Sequence, residues 1–134
     1  MKIDGQCHCG QVSYEAEIDP AKVSICHCTD CQTLTGSAYR VTVAAERDKV
    51  KMTGAPPKLY VKLGESGKKR LQYFCPNCGS PVYVTGEGED AARYGLRWGA
   101  IRQRDALKPT RQIWCKSAAP WIGDLDKVPG QPTE

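Results

Sequence analysis

Two closely spaced cysteine pairs lie far apart in the chain. Cys7 and Cys9 form a Cys-x-Cys pair, whereas Cys75 and Cys78 form a Cys-x-x-Cys pair that is followed directly by Gly79. In a turn of this kind both sulfurs face one side, and the glycine lets backbone amides approach and stabilise the thiolates. Two such pairs complete a tetrahedral set of four sulfurs. The spacing therefore predicts a closed, structural zinc site that staples two halves of the chain together.

A second cluster runs from Cys26 to Cys31 and reads Cys-His-Cys-Thr-Asp-Cys. Its three sulfurs, from Cys26, Cys28 and Cys31, can form one face of a tetrahedron and leave the fourth position open. An open position that water or substrate fills distinguishes catalytic zinc from structural zinc. The cluster predicts a second, catalytic zinc site, which we expect to be only partly occupied because it has three protein ligands.

Four side chains are candidates to close this second site from within: His27, His8, Asp30 and Cys115. Each histidine lies between two cysteines and would need a sharp bend to join them on one ion, so we expect His27 to lie in the core or beside the site. Cys115 follows two apolar residues in a predicted strand, where a lone cysteine is usually a small buried side chain. Closure by Cys115 would instead make both sites structural.

Eight cysteines in 134 residues indicate either disulfides of a secreted protein or metal ligands in a reducing compartment. The N-terminus lacks a charged-then-apolar secretory pattern, and no run approaches the ~18 apolar residues of a membrane span. We therefore favour metal ligation, with zinc ahead of an iron–sulfur centre, and expect a cytoplasmic protein without a membrane partner.

The elements that must position these cysteines read as short strands. Apolar residues alternate with polar ones in six segments, which predicts half-buried strands separated by Gly- and Pro-rich turns, about eight strands in all: residues 12–18, 39–43, 50–52, 59–63, 82–84 and 94–98. The best helix candidate is Thr29–Leu34, capped by Thr29 or Asp30 and ended by Gly36. The sequence predicts a mainly β, antiparallel fold with at most one short helical turn.

Length and charge favour one globular unit without a required nucleic-acid partner. Hydrophobic residues make up 40% and charged residues 25% of the chain, and the net charge is +4. We expect a single domain over residues 1–134 with a flexible tail at 129–134. The basic residues are dispersed apart from the run Lys68 to Arg70, so nucleic-acid binding is not required.

All seven cysteines of the two clusters, together with the segments that surround them, resemble the glutathione-dependent formaldehyde-activating enzyme family. The resemblance is carried by four segments and by the C-terminal pairs Ile113-Trp114 and Pro120-Trp121, and the segments are Gly5–Gly10, Cys26–Cys31, Thr35–Ser37 and Phe74–Ser80. It extends from Gly5 to about Pro129. One position departs from it: Gln112 stands where many relatives have a histidine.

The resemblance implies a twisted antiparallel β-tent fold, shared with centromere protein V-like proteins. It also implies a structural zinc on Cys7, Cys9, Cys75 and Cys78, and a catalytic zinc on Cys26, Cys28 and Cys31. The implied activity is that of a carbon–sulfur lyase, in which glutathione or a similar thiol binds the open zinc and adds to formaldehyde or another small aldehyde to give S-hydroxymethylglutathione.

Glutathione carries two carboxylates, and four arginines are candidates to bind them: Arg40, Arg93, Arg97 and Arg102. For any single one of them, solvated surface charge is the more common role. Two further alternatives stay open at this point. The chain could use the same zinc scaffold as a non-enzymatic module for nucleic acid or protein, or it could be a related enzyme with a different substrate.

Overall fold

A computed structural model describes all residues from 1 to 134 and shows a mainly β protein of ten strands and one α-helix. The strands are β1 (Lys2–Gln6), β2 (Ser13–Glu17), β3 (Val23–Cys26), β4 (Arg40–Glu46), β5 (Val50–Met52), β6 (Lys58–Leu63), β7 (Lys69–Phe74), β8 (Pro81–Thr85), β9 (Arg93–Arg97) and β10 (Arg111–Ile113). The helix is α1 (Thr29–Thr35), and six short 3-10 segments connect other elements. The predicted fold class is confirmed.

The strands form two sheets. Three strands pair in the order β1-β2-β5, and seven pair in the order β10-β3-β4-β9-β8-β7-β6. Every pairing is antiparallel except that of β10 with β3, which is parallel. The seven-residue α1 is far too short to span a bilayer, and none of the 3-10 segments could do so either.

The core lies where the alternating pattern is most regular. Val12, Tyr14, Ala16 and Ile18 are all buried, because successive side chains of a strand point to opposite faces and this face packs inward. They join one cluster with buried residues of the larger sheet, including Val43 and Leu96. Each fully buried aliphatic side chain of this kind stabilises the fold by roughly 1.5–3 kcal/mol.

The predicted helix is present, but its cap differs from the prediction. Cys28, rather than Thr29 or Asp30, is the N-cap residue, and its Sγ accepts a hydrogen bond from the backbone N–H of Cys31 at 3.2 Å. Gly36 ends the helix in the left-handed region at φ 63°, which a residue without Cβ adopts freely. A cysteine of the second cluster thus satisfies a free amide at the helix start.

Two expectations about burial were wrong. Leu59, Val61 and Leu63 alternate as predicted within β6, yet they are exposed because β6 is the edge strand of the larger sheet. Cys115 is exposed rather than buried, because it follows β10 in a 3-10 turn that begins at Trp114 with φ 57°. Residues 129–134 are exposed and contain no helix or strand.

Candidate active site

The fold brings the two cysteine pairs of the predicted structural site together. Their sulfurs all lie within 4.8 Å of one another, and the residues are Cys7, Cys9, Cys75 and Cys78. The Cys7–Cys9 separation is 3.6 Å and the Cys9–Cys75 separation is 3.7 Å. A tetrahedron with ~2.3 Å Zn–S bonds places its sulfurs about 3.8 Å apart. The four sulfurs therefore have the spacing that a single zinc ion requires.

Tight turns aim these sulfurs. Gly79 lies at φ 76° and its backbone N–H donates to the carbonyl of Cys75 at 2.9 Å, which closes the turn between the second pair. In the first pair, the N–H of Val12 donates to Cys7 Sγ at 3.3 Å. The turn glycine is the feature that the Cys-x-x-Cys-Gly pattern predicts.

Hydrogen bonds favour the charged form of two of these sulfurs. The Ser80 hydroxyl, 3.2 Å from Cys78 Sγ, lowers the pKa of Cys78 to about 5. The side chain of Asn77 lowers the pKa of Cys9 in the same way. Since the thiolate is the form that binds metal, this environment favours ligation by Cys78 and Cys9.

The second cluster places Cys26 at the end of β3, Cys28 at the helix cap and Cys31 in the first turn of α1. Their three sulfurs also lie within 4.8 Å of one another, and each residue is partly exposed. The strand end, the cap and the helix turn together fix a three-sulfur face. These atoms could hold one metal ion with a position left toward solvent.

None of the four candidate closing residues joins this face. His27 is buried and its Nε2 donates to Gln112 Oε1 at 2.7 Å, while His8 and Cys115 are exposed. Asp30 instead forms an ion pair with Lys62 at 3.0 Å. The metal-ligand group at this site consists of the three cysteines alone.

The C-terminal segment holds the cysteine loop in place. The N–H of His27 donates to the carbonyl of Ile113 at 3.1 Å. Gln32 Nε2 donates to the carbonyls of His27 at 2.8 Å and Ser117 at 3.0 Å. The position of the second cluster therefore depends on residues more than 80 positions later in the chain.

The sulfurs of the second cluster are electrostatically coupled. The hydrogen bond from Cys31 lowers the pKa of Cys26 to about 5, and the positive charge of Lys62 contributes in the same direction. That same contact with Cys26, together with burial, raises the pKa of Cys31. Without a bound cation, ionising all three sulfurs costs free energy, since each negative charge raises the pKa of its close neighbours.

A cleft of about 790 Å³ is lined by residues next to both cysteine clusters. Its walls include Cys7, His8 and Ser80 from the first site and Thr35 and Ser37 from the end of α1. The three sulfurs of the second cluster do not line it. Arg40 connects the cleft to the second cluster, because it lines the cleft and lies opposite Cys26 in the β3–β4 pair.

The four candidate arginines differ in burial and in whether they line the cleft. Arg40 and Arg97 are 4% and 8% exposed and line the cleft, so their interpretation as surface charge is wrong. Arg102 also lines the cleft, but its side chain is 73% exposed and paired with Asp4 at 2.9 Å. Arg93 is exposed and lies away from the cleft.

Sequence reasoning did not identify Gln72 or Lys62 as neighbours of the site. Gln72 Oε1 accepts from Arg40 and Arg97, and Lys62 lies near Cys26. Both residues come from β6 and β7, more than 30 positions after the second cluster, and no local motif marks them. In the sheet order β6 and β7 lie toward the opposite end from β3, so their closeness to the site follows only from the three-dimensional fold.

Two lysines of the basic run Lys68 to Arg70 form ion pairs with acidic residues. Lys68 Nζ lies 3.6 Å from Asp90 and Lys69 Nζ lies 3.8 Å from Glu87. Both pairs are solvent-exposed and contribute little to stability. They nevertheless reduce the net positive charge that this surface would offer to a phosphate backbone.

The sequence matches a known protein family over most of its length. Residues 2–117 match the family model described as "Glutathione-dependent formaldehyde-activating enzyme". A curated protein of Halomonas elongata, named "Putative glutathione-dependent formaldehyde-activating enzyme", is 26% identical over 88 residues. That match covers 63% of this chain and 56% of the relative, so the matched stretch spans little more than half of the relative's length.

A solved structure supports the fold independently. The chain is similar to the crystal structure of a Rhodobacter sphaeroides protein, with a TM-score of 0.62 and 19% sequence identity. The superposition covers 81% of this chain and 98% of that protein. At this identity the likeness concerns the fold alone.

Proposed function

We propose that this chain, which belongs to the glutathione-dependent formaldehyde-activating enzyme family, joins a thiol to a small aldehyde. The thiol is glutathione or a close analogue, and formaldehyde is the expected aldehyde. Membership of the family supports formaldehyde and glutathione as the substrates. We further propose that the reaction is that of a carbon–sulfur lyase and that the cysteines of the second cluster form its site. The observation that carries it is the three-sulfur face of Cys26, Cys28 and Cys31 with no fourth protein ligand.

The two cysteine clusters would hold zinc in different ways. Cys7, Cys9, Cys75 and Cys78 would form the closed structural site, and the second cluster would form the open one. Zinc bound at the open site would stabilise a thiolate relative to a thiol at neutral pH. Both donor sets fit zinc, since thiolate sulfur is a preferred ligand and the sulfurs of each group lie within 4.8 Å of one another.

The reaction balances without an oxidant or reductant. The S–H bond of the thiol breaks, its sulfur forms a bond to the carbonyl carbon, and the carbonyl oxygen takes up a proton. The product is a hydroxymethyl thioether, S-hydroxymethylglutathione when the substrates are glutathione and formaldehyde. Formaldehyde reacts with thiols unaided, so the protein contributes mainly orientation and ionisation of the sulfur.

Positive side chains around the cluster support ionised sulfur. Lys62 helps to lower the pKa of Cys26, as described above, and Arg40 interacts favourably with the charges of all three cysteines. An incoming thiol enters the same field. These residues therefore favour thiolate over thiol at the position where the substrate sulfur would lie.

The proposal is tested by measuring zinc per chain with and without glutathione, alongside hydroxymethyl thioether formation by NMR. We expect close to two zincs in the wild type, with the second retained better when glutathione is present. Cys31→Ser should lose the second zinc and lower the rate by more than about 100-fold, beyond the ~10–100-fold expected for a neighbour of a metal ligand.

Cys115→Ser is the matched control, since it removes an exposed thiol outside both clusters. It should retain both zincs and the wild-type rate. One zinc that thiol does not affect, or a second zinc that depends on Cys115, would contradict the proposal and leave a structural or binding role for the chain.

A further inference from the structure

Two buried arginines lie side by side at the cleft without an acidic partner. Arg40 is in β4 and Arg97 is in the adjacent strand β9. Among all the ion pairs of the protein, only one involves an arginine, and it joins Arg102 to Asp4. Since burying an unpaired charge is costly, two such charges together require a specific explanation.

One neutral amide holds both guanidinium groups. Gln72 Oε1 accepts from Arg40 Nη1 at 3.4 Å and from Arg97 Nη2 at 2.5 Å, and Thr42 Oγ1 accepts from Arg97 Nη1 at 3.0 Å. A guanidinium offers five N–H donors in a planar fork. Most donors of the two groups therefore have no acceptor within the protein.

The unused donors keep some exposure to solvent. The buried side-chain atoms that lack a hydrogen-bond partner are Tyr14 Oη and His27 Nδ1, and no arginine nitrogen is among them. The unpaired nitrogens of Arg40 and Arg97 are thus not sealed in the core. Because both residues line the 790 Å³ cleft, that cleft is where a ligand can reach them.

Electrostatics shows that the pair is under-neutralised. Burial, followed by the charges of Arg40 and Arg70, lowers the pKa of Arg97 to about 9. The sulfurs of Cys31 and Cys26 act in the opposite direction. Arg97 stays protonated at neutral pH, so an added anion between the two guanidiniums would be strongly favoured.

We infer that Arg40 and Arg97 form a carboxylate-binding subsite in the cleft, which anchors the thiol substrate, and that Gln72 positions the two guanidinium groups. The inference rests on the proposed function and deepens it, because it assigns substrate-binding residues. A cleft of this volume lies within the range of small-molecule sites. Guanidinium forks match the geometry of carboxylates, which makes a peptide carboxylate the ligand chemistry that the pair fits best.

The location suits a substrate that must present sulfur to the second cluster. Arg40 and Cys26 are directly opposite one another in the β3–β4 pair. Opposed residues of antiparallel strands lie about 4.5–5.5 Å apart at Cα. The charges of Cys26, Cys28 and Cys31 also act on Arg40, so a substrate carboxylate at Arg40 is bound next to the three-sulfur face.

The inference is tested by calorimetric titration of the zinc-loaded protein with three probes. Glutathione has free carboxylates and a free thiol, glutathione diethyl ester has capped carboxylates, and S-methylglutathione has a capped thiol. The wild type should bind the diester at least about tenfold more weakly than glutathione, which corresponds to 1.4 kcal/mol. Arg40→Gln and Arg97→Gln should weaken both carboxylate-bearing probes about 10- to 100-fold and change diester binding less than about twofold.

Gln72→Glu provides a second variant in case the arginine variants do not fold. It places an internal carboxylate against both guanidiniums, which should preserve the fold and zinc content while weakening glutathione about tenfold. Arg93→Gln is the matched control, since this arginine is exposed and lies away from the cleft. It should bind all three probes as the wild type does.

The outcomes separate the subsite from the proposed function. Folded variants that keep two zincs and bind glutathione like the wild type would overturn the subsite alone. Equal weakening of glutathione and its diester would also overturn it, and would assign the arginines to balancing the charge of the cysteines. A wild type that binds neither glutathione nor S-methylglutathione would overturn the proposed function, and the subsite with it.

Discussion

The two cysteine clusters use the same ligand atom in contrasting ways. The first joins Cys9 to Cys75 across 66 positions of sequence, and two of its residues, Cys7 and Cys75, are buried in the core. The second draws three partly exposed sulfurs from one strand end and the first turn of a helix. A metal in the first would hold distant segments together, whereas a metal in the second would leave the fold largely unchanged. Sequence separation and burial would therefore distinguish a structural metal site from a catalytic one.

The largest expected effect is the loss of folded structure when a cysteine of the first cluster is replaced. Cys75→Ser removes a buried ligand, and structural zinc sites of this kind contribute on the order of 10 kcal/mol of apparent folding free energy. We expect the variant to be largely unfolded at 25 °C by circular dichroism, and chelator treatment of the wild type to act similarly. Cys26→Ser, in the second cluster, should keep its far-UV spectrum and most of its thermal stability. Equal loss of structure in both variants would contradict the distinction.

A medium effect concerns the support of the second cluster. Gln112→Leu removes the acceptor of the His27 ring and leaves a buried imidazole with neither nitrogen paired. An unsatisfied buried polar group costs about 1–3 kcal/mol, so the free energy of unfolding in urea should fall by that amount. Arg111→Leu, at the neighbouring exposed position, serves as the control and should change stability by less than about 0.5 kcal/mol. An unchanged midpoint in Gln112→Leu would show that His27 does not need this contact.

The smallest expected effect lies in the core beside the first cluster. The Tyr14 hydroxyl is buried without a hydrogen-bond partner, and burial, with Asp4 second, raises the pKa of Tyr14. Because the pKa is higher in the folded state, the unfolded state releases this proton first, and the free energy of unfolding falls as pH rises above about 10, by up to about 1.4 kcal/mol per pH unit.

Tyr14→Phe removes both the orphaned hydroxyl and this titration. It should stabilise the protein by about 1 kcal/mol at pH 7 and flatten the loss of stability between pH 10 and 12. Denaturant unfolding at several pH values measures both effects. The remaining alkaline slope reports Tyr83, whose pKa burial also raises. A variant less stable than the wild type at neutral pH would show that the hydroxyl has a partner in solution.

The sequence was most informative where local chemistry decides structure. The alternation from Val12 to Ile18 predicted a strand face that is buried throughout, and Gly36 correctly ended the predicted helix. The cysteine spacing predicted the two groups that the fold brings together. In each case neighbouring residues carry the signal, so no knowledge of the sheet order is needed.

Features that depend on sheet order escaped prediction. The apolar alternation of β6 gave no sign that this strand lies at an edge. Arg40 and Arg97 both contact Gln72 of β7, a strand that the sheet order separates from β9 by β8, so this contact exists only in the folded protein. The exposure of Cys115 depends on the positive φ of Trp114, and nothing in the sequence marks a tryptophan for that conformation.

The parallel pairing of β10 with β3 sets an order of assembly during synthesis. All four residues of the first cluster have been made once Cys78 is added, whereas β3 gains its outer neighbour only after Ile113. Until then one edge of β3 has open backbone groups, and the loop that carries Cys28 lacks its C-terminal supports. Pairing across so long a stretch of chain is slow to form. The nascent protein would therefore bring the four cysteines of the first cluster together early and complete the support of the second cluster late.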